Sequence, residues 1–284
     1  LQVDTAPIFN TPSIPDLKSS CSLCEWDRII KSLGRNHTVY AIDLLGCGHS
    51  DKPNITYTTY MYTQMIQDFV INVIHKKTDI IAQGDSAPMA IMTVYSNPYI
   101  FNKLILVSPQ DIKSALKTPD KMCEIRRYLL NSPVLGTLIY NICMSRQKLN
   151  SGFVLKYFNN KNSISQNLID TYSENAHLGG SNAKYLFTST ECHYTTVSIS
   201  KAVSKIDNSI YIINGSCDTT AIESAKLYKS LNPAIESVTI ENAKHYPQIE
   251  QPLKFIKNID IFDFCFFVQY FCLQIYENLS FCII

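Results

Sequence analysis

The sequence predicts an α/β fold, with a mostly parallel central sheet, helices on both faces and an inserted helical cap. Short apolar runs without polar alternation recur between segments of helical periodicity. Such runs are typical of parallel strands that helices bury on both faces. The region 111–206 breaks this alternation with several helical stretches and no strand, and it is too long for a simple crossover. We therefore assign 111–206 to the cap, 1–110 and 207–262 to the core, and 263–284 to an apolar C-terminal tail without a clear helical stripe.

The first half of the predicted core holds three strands and two helices. Residues 37–42 form an apolar run that ends in a glycine-rich loop, and 60–74 carry apolar residues at i+4 steps, which predicts a helix. The strand 78–83 and the helix 89–95 come next, and 103–108 is a third apolar run. Strand and helix thus alternate twice before the cap begins.

The second half of the chain resumes this pattern after the cap. Within the cap, helices are predicted for 120–130 and 163–176. Two further strands are predicted for 209–214 and 236–240, with a helix between them from about 221 to 231. The sequence therefore predicts five buried strands, two of which follow the cap.

The composition indicates a globular protein with a sizeable core and no nucleic-acid partner. Hydrophobic residues make up 46% of the chain and charged residues 17%, and the formal net charge is +1. The ten cysteines follow no disulfide framework, so a reducing, cytoplasmic location is expected. Cys21 and Cys24 have the spacing of a metal or redox pair, but no second pair lies at zinc-ligand spacing, so no metal site is expected. The apolar run 264–275 is too short to span a bilayer, and membrane contact is not expected.

The segment Gly84-Asp85-Ser86-Ala87-Pro88 carries the candidate nucleophile. It follows a predicted strand and precedes a predicted helix, which is the context of the G-x-S-x-G turn that exposes a catalytic serine. The N-terminus of the following helix favours developing negative charge at this place. Pro88 stands where the pattern has its second glycine, and a first helical turn accepts proline because the missing N–H would be unpaired there.

From about Glu25 to Phe255 the chain resembles the α/β-hydrolase fold family, in the form that carries a helical cap. Four short motifs occur in the order and spacing of that family. They are the loop 43–53 with its Asp-x-x-Gly-x-Gly-x-Ser-x-x-Pro pattern, the turn at Ser86, the Gly-x-x-Asp of 215–218, and the late histidine segment 243–252. Each motif alone is weak, and it is their combination that carries the resemblance.

The resemblance implies a serine hydrolase that cleaves a carboxylic ester through an acyl-enzyme. Ser86 would be the nucleophile, His245 the general acid and base, and Asp218 the carboxylate that orients the imidazole. The chain order of serine, acid and histidine is that of the family. The backbone N–H groups of Ala87 and Leu17 would form the oxyanion hole. The implied partner is a small ester-like substrate, and the chemistry calls for no cofactor.

Alternatives stay open at the level of sequence. Asp218 also fits the N-cap of the helix that follows it, and Glu223 is a weaker candidate for the acid. Asp85 would be the nucleophile in a dehalogenase-like relative, but the register argues against it because Gly84 lies two residues before Ser86. The chain also lacks the family's early His-Gly pair. That absence, with the proline in the turn, leaves open the alternative of a catalytically impaired member of the fold that binds a ligand or a protein partner.

Overall fold

The computed structural model describes residues 25–35, 37–113, 116–270 and 280–283 of the 284-residue chain. Its centre is a six-stranded sheet in which every neighbouring pair of strands is parallel. The strands are β1 (Thr38–Ala41), β2 (Thr78–Gln83), β3 (Phe101–Val107), β4 (Ser209–Gly215), β5 (Glu236–Ile240) and β6 (Ser280–Ile283). Their order across the sheet is β1-β6-β2-β3-β4-β5. The prediction of an α/β fold with a mostly parallel sheet is confirmed.

Twelve α-helices accompany these strands in the described part of the chain. They are α1 (Asp27–Leu33), α2 (Thr59–Phe69), α3 (Ser86–Ser96), α4 (Lys121–Asn131), α5 (Leu135–Cys143), α6 (Arg146–Gly152), α7 (Gln166–His177), α8 (Lys184–Glu191), α9 (Ser200–Lys205), α10 (Thr219–Leu231), α11 (Pro247–Glu250) and α12 (Pro252–Tyr270). Two π-helical turns, 70–74 and 153–157, continue α2 and α6.

Alternate residues of the central strands pack against helices on opposite faces of the sheet. Ile80 of β2 belongs to a buried cluster with side chains of α2, α3, α9 and α10. The next residue, Ile81, belongs to a second cluster with side chains of α1 and α12. Because successive side chains of a strand point to opposite faces, the two clusters show that helices cover both faces. This double burial explains why the strands are continuous apolar runs in the sequence.

The five strands predicted from the apolar runs are present, and their ends differ from the predicted ends by at most two residues. The predicted helix 89–95 begins three residues earlier, at Ser86, so Pro88 lies in its first turn. The predicted helix 60–74 is α-helical only to Phe69 and then continues as a π-helical turn that ends at His75. The backbone φ of His75 is 57°, in the left-handed region that ends the helix.

The segment between β3 and β4 contains helices α4 to α9 and no strand among its described residues. It has its own buried core, which we call the aromatic cluster and which includes Tyr140, Phe153, Tyr157 and Tyr172. Tyr246, which follows β5, is also a member of the aromatic cluster. The helical segment therefore packs directly on the loop that leads from β5 to α11.

The C-terminal region contributes to both the sheet and a helix. The backbone of β6 pairs with β1 on one side and β2 on the other, and α12 extends to Tyr270. Part of the range 263–284, which the sequence left as an apolar tail, thus belongs to regular structure. No helix in the described ranges is both long and apolar enough to cross a bilayer.

Candidate active site

The carboxyl ends of β4 and β5 bring Asp218 and His245 together. The Oδ2 atom of Asp218 lies 3.0 Å from Nδ1 of His245, and the two side chains are 12% and 14% exposed. Gly215 ends β4 with no room for a side chain, because a Cβ there would overlap the carbonyl oxygens of Ala243 and Lys244. The N–H of Cys217 also donates to the carbonyl of Ala243 at 2.9 Å. The glycine therefore lets the two loops approach closely enough for the pair to form.

Asp218 also caps a helix with its second oxygen. Its Oδ1 atom accepts a hydrogen bond from the N–H of Ala221 at 3.1 Å, as an N-cap residue of α10 does. Burial raises the pKa of Asp218, but the hydrogen bond from His245, the charge of that ring and the Ala221 N–H outweigh burial and leave this pKa below its ordinary value. The two sequence interpretations of Asp218, cap and partner of His245, thus hold at the same time.

The backbone and ring of His245 are held, whereas Nε2 is left open. Its N–H donates to the carbonyl of Tyr157 at 3.0 Å, and its carbonyl accepts from Nε2 of Gln83 at 3.0 Å. An ionised Asp218 can only accept, so Nδ1 carries the proton and Nε2 the lone pair. That Nε2 atom is buried and makes no hydrogen bond to any described residue. A basic atom is therefore oriented and available at this edge of the sheet.

Ser86 is the first residue of helix α3 and is fully buried. No hydrogen bond connects its hydroxyl with Nε2 of His245 in the described structure. The N–H of Ala87, the expected oxyanion donor, points back to the carbonyl of Gly84 at 3.3 Å. Leu17, the other expected donor, lies outside the described residues. The structure thus brings Asp218 and His245 together, with no hydrogen bond between Nε2 of His245 and Ser86.

Gly84 occupies the sharp turn between strand and helix. Strand β2 ends at Gln83, and the φ angle of Gly84 is 54°, a conformation that glycine adopts without strain. A catalytic serine on such a turn occupies the strained position itself, but Ser86 is not among the residues with positive φ. In the sequence motif, Gly84 is the glycine that precedes the nucleophile by two residues. In the structure, Gly84 itself is the residue of the turn with positive φ.

The sequence offered two other carboxylates, Asp85 as an alternative nucleophile and Glu223 as a weaker candidate for the acid. Asp85 directly precedes α3, and its side chain makes no capping hydrogen bond. Glu223 is exposed on α10, and the partner of Nδ1 is Asp218. Asp218 is therefore the carboxylate in position to orient the imidazole.

The glycine-rich loop after β1 is a closed turn built around Asp43. Its Oδ2 atom accepts the N–H of His49 at 2.7 Å, and its carbonyl accepts the hydroxyl of Ser50. Gly48, with a φ of 45°, packs so closely on this carboxylate that a Cβ would overlap it. These contacts give the residues of this motif a structural role in holding the loop together.

Glu250 supports the histidine loop, a role that no sequence motif predicted. Its carboxylate accepts three backbone N–H groups, from Asn159 and Asn160 at 2.9 Å each and from Lys244 at 2.7 Å. Burial raises the pKa of Glu250, partly offset by these hydrogen bonds and by the charge of Lys244. The carboxylate therefore ties the residue next to His245 to the helical segment. Its place in the Glu-Gln-Pro sequence was visible, but its long-range partners were not.

Gln83 and Gln248 form a second support that the sequence did not indicate. The side-chain amide of Gln248 donates to that of Gln83, which in turn donates to the carbonyl of His245. Both glutamines are buried.

Among the described residues, no group of three or more histidine, cysteine, aspartate or glutamate side chains is arranged to hold a metal ion.

Solved structures and a family model are similar to this chain over most of its length. The family model, described as the alpha/beta hydrolase fold, matches residues 12–252. A serine hydrolase involved in carbazole degradation is 17% identical, with a TM-score of 0.67 over 85% of this chain and 84% of that chain. The meta-cleavage product hydrolase CumD from Pseudomonas fluorescens IP01 is 15% identical, with a TM-score of 0.64 over 85% of each chain. The epoxide hydrolase CorEH is 19% identical, with a TM-score of 0.67 over 85% of this chain and 87% of that chain.

Curated proteins match over a shorter segment. Uncharacterized proteins of Mycobacterium tuberculosis and Mycobacterium bovis are 31% identical to this chain over 83 residues. This match covers 29% of the present chain and 24% of theirs, so it spans about a quarter of their length. The structural similarities extend over most of this chain, and at these identities they concern the fold.

Proposed function

The chain belongs to the α/β-hydrolase fold family, and on that premise we propose that it is a serine hydrolase of small carboxylic esters. Hydrolases are prominent among the structures that share its fold. In the proposed reaction, His245 removes the proton from the Ser86 hydroxyl, which attacks the ester carbonyl. The C–O bond to the alcohol then breaks, the imidazolium of His245 gives its proton to the departing alcohol, and an acyl-enzyme remains. Water, activated by the same imidazole, then releases the acid. These steps use side chains and water alone.

The observation that carries the proposal is the hydrogen bond between Asp218 and His245. It fixes the tautomer in which Nε2 is the base, and the low pKa of Asp218 keeps the carboxylate charged when the imidazole gains a proton. A buried nitrogen without a partner is costly in a resting fold, on the order of 1–3 kcal/mol. That Nε2 stays unpaired in spite of this cost supports a role in which it accepts a hydrogen bond from a reacting hydroxyl group or water molecule.

The role of Ser86 requires a change at the start of α3. Its hydroxyl must turn toward Nε2 of His245, and the Ala87 N–H must leave the carbonyl of Gly84 to face an oxyanion. Catalytic hydrogen bonds are often long or misaligned before substrate binds. We propose that the helical segment between β3 and β4 is a cap over this edge of the sheet. Contacts between the cap and a bound substrate would supply the binding energy for the rearrangement.

A second candidate function is ligand binding by an impaired member of the family. The observation that favours it is the position of Gly84 at the strained turn, where a nucleophile would project, together with the burial of Ser86 inside the helix. In this case the Asp218–His245 pair would hydrogen-bond a ligand without forming an acyl-enzyme.

Labelling with a fluorophosphonate probe tests the proposal. Wild-type protein, Ser86→Ala and His245→Ala would be compared after confirming that each is folded by circular dichroism. Labelling of the wild type that disappears in both variants supports the serine hydrolase and justifies a screen of ester substrates. An unlabelled, folded wild type would favour the second candidate. Labelling that persists in Ser86→Ala would reject Ser86 as the nucleophile.

A further inference from the structure

Helices α4 and α5 leave a cluster of apolar side chains uncovered. Eighteen large hydrophobic side chains are exposed in the described part of the chain, and eight of them lie within residues 122–142. From this cluster and the charges around it, we infer that α4 and α5 dock on the surface of an anionic lipid bilayer. The contact is peripheral, with the two helices lying along the bilayer surface, and it does not depend on the proposed hydrolase reaction.

Each of the two helices exposes an apolar stripe, and the two stripes have the same spacing. The stripe of α4 consists of Met122, Ile125 and Leu129. The stripe of α5 consists of Leu135, Leu138 and Ile142. Steps of three and four residues place side chains on one face of a helix. We call these six side chains together the α4–α5 face.

The fold buries a different face of each helix. The buried residues of α4 are Cys123 and Leu130, and those of α5 are Gly136 and Tyr140. Gly136 packs so closely on the end of α4 that a Cβ there would overlap the carbonyl oxygen of Leu130. The turn between the two helices adds Val134, which is 81% exposed. The α4–α5 face is therefore an uncovered apolar surface of the kind that marks interaction sites.

The charges of this region are those that an anionic surface attracts. Residues 113–131 contain five basic and two acidic side chains, a net charge of +3, whereas the net charge of the whole chain is +1. Three of the basic side chains, Lys121, Arg126 and Arg127, are exposed on α4 itself. Helix α5 has an exposed face but no charged residue. Apolar helix faces bordered by lysine and arginine are typical of helices that lie in the headgroup region of a membrane.

The same charges argue against a second copy of this chain as the occupant. Two copies that met through the α4–α5 face would bring two positively charged surfaces together, and like charges across an interface oppose association. A bilayer with anionic headgroups offers the opposite charge and accepts apolar side chains at the boundary with its acyl chains. Membrane contact is not expected from the sequence, because the exposure of these side chains is determined by the fold.

Co-sedimentation of the full chain with lipid vesicles tests the inference. Vesicles of phosphatidylcholine and phosphatidylglycerol in equal amounts provide the anionic surface, and vesicles of phosphatidylcholine alone are the neutral control. We expect binding to the anionic vesicles to be at least tenfold tighter than to the neutral ones, and to weaken as salt screens the charges. Ser86→Ala should bind as the wild type does, because docking does not use the proposed nucleophile.

Substitutions on the α4–α5 face test where the contact lies. Leu138 is 54% exposed, and Leu138→Ser should weaken binding to anionic vesicles about tenfold through the loss of its apolar area. Ile71, 47% exposed in the π-helical turn that follows α2, is the matched position, and Ile71→Ser should leave binding unchanged. Lys121→Gln should weaken binding about fivefold. Lys76→Gln, also at an exposed position, should have no effect.

Circular dichroism checks that each variant is folded, and all four substitutions are at exposed positions. Equal binding to the two kinds of vesicle, no binding to either, or equal effects of Leu138→Ser and Ile71→Ser would overturn the inference. Sedimentation velocity without lipid tests the competing occupant, and we expect the same sedimentation coefficient for the wild type and Leu138→Ser. A dimer that Leu138→Ser dissociates would assign the α4–α5 face to a second copy and would also overturn the inference.

Discussion

Nδ1 of His245 lies 3.0 Å from Oδ2 of Asp218, while the other oxygen of Asp218 caps helix α10 through the N–H of Ala221. One carboxylate therefore performs two tasks that can be separated chemically. Capping needs only an accepting oxygen, which asparagine also offers. Stabilising an imidazolium needs a negative charge. Substitutions at Asp218 can remove one task and keep the other.

Asp218→Asn should keep the helix cap and lose the function of the base. The free energy of unfolding should fall only by the contribution of the charge, whereas fluorophosphonate labelling should slow by about a thousandfold or more. Asp218→Ala removes the cap as well and should cost about 1 kcal/mol of stability in addition. Urea unfolding and labelling rates measure the two effects. A labelling rate unchanged in Asp218→Asn would contradict a role of the charge.

The low pKa of Asp218 predicts the sign of one acid-dependent contribution to stability. Because the folded pKa lies below the ordinary value of 3.8, the unfolded state binds more protons in this range, and the contribution is lost as pH falls through that interval. The raised pKa of Glu250 acts in the opposite sense, lowering stability as pH rises above its ordinary value of 4.5. The stability difference between wild type and Asp218→Asn isolates the contribution of the Asp218 carboxylate. We expect this difference, measured by urea unfolding, to shrink as the pH falls below about 4; a difference that grew in that range would contradict the assignment.

Gly84→Ser should create a reactive serine if the strained turn is the position that faces His245. The variant keeps the backbone shape at a cost of about 1–3 kcal/mol, because serine is less suited than glycine to positive φ. In a Ser86→Ala background, any fluorophosphonate labelling must then come from residue 84. We expect such labelling, and expect it to disappear when His245→Ala is added. Gly84→Ala carries similar strain without the hydroxyl and is the control.

Glu250→Ala should destabilise the fold and loosen the histidine loop. The substitution leaves three backbone N–H groups without their acceptor, and the expected loss is on the order of 3 kcal/mol. Glu250→Gln retains one accepting oxygen and should lose less. Glu241, an exposed residue that pairs with Lys254 at 3.6 Å, is a matched control, and Glu241→Ala should change stability by less than about 1 kcal/mol. Hydrogen exchange should show faster exchange of the Lys244 N–H in Glu250→Ala; an unchanged rate there would contradict the tether.

The fold was predictable where a local pattern specified it. Strands 78–83 and 236–240 are apolar or turn-bounded runs whose limits match the structure. Strand β6 was missed because the range 264–284 is rich in phenylalanine, cysteine and isoleucine throughout and shows no clear period that sets Ser280–Ile283 apart. Its place between β1 and β2 depends on pairing over long sequence distances. Such pairing leaves no trace in the composition of the segment itself.

The candidate site was predictable to a similar extent. The order of Asp218 and His245 in family motifs predicts their encounter, because each follows a parallel strand at one sheet edge. The pattern around Ser86 specifies a serine after a glycine, but the sign of φ at each residue is a property of the folded turn. The supports from Gln83 and Glu250 depend on side chains that meet residues far away in sequence. Only tertiary packing brings these groups to the histidine.

The aromatic cluster has a consequence for how the protein unfolds. Tyr246, the residue after the proposed base, stacks on Phe158 with ring centroids 5.4 Å apart. The backbone N–H of His245 donates a hydrogen bond to the carbonyl of Tyr157. Elements that share a buried core tend to open together as one cooperative unit. The histidine loop should therefore lose its protection from hydrogen exchange together with the helical segment. Any condition that opens the helical segment should then also abolish the reactivity of His245, even though that segment lies outside the sheet.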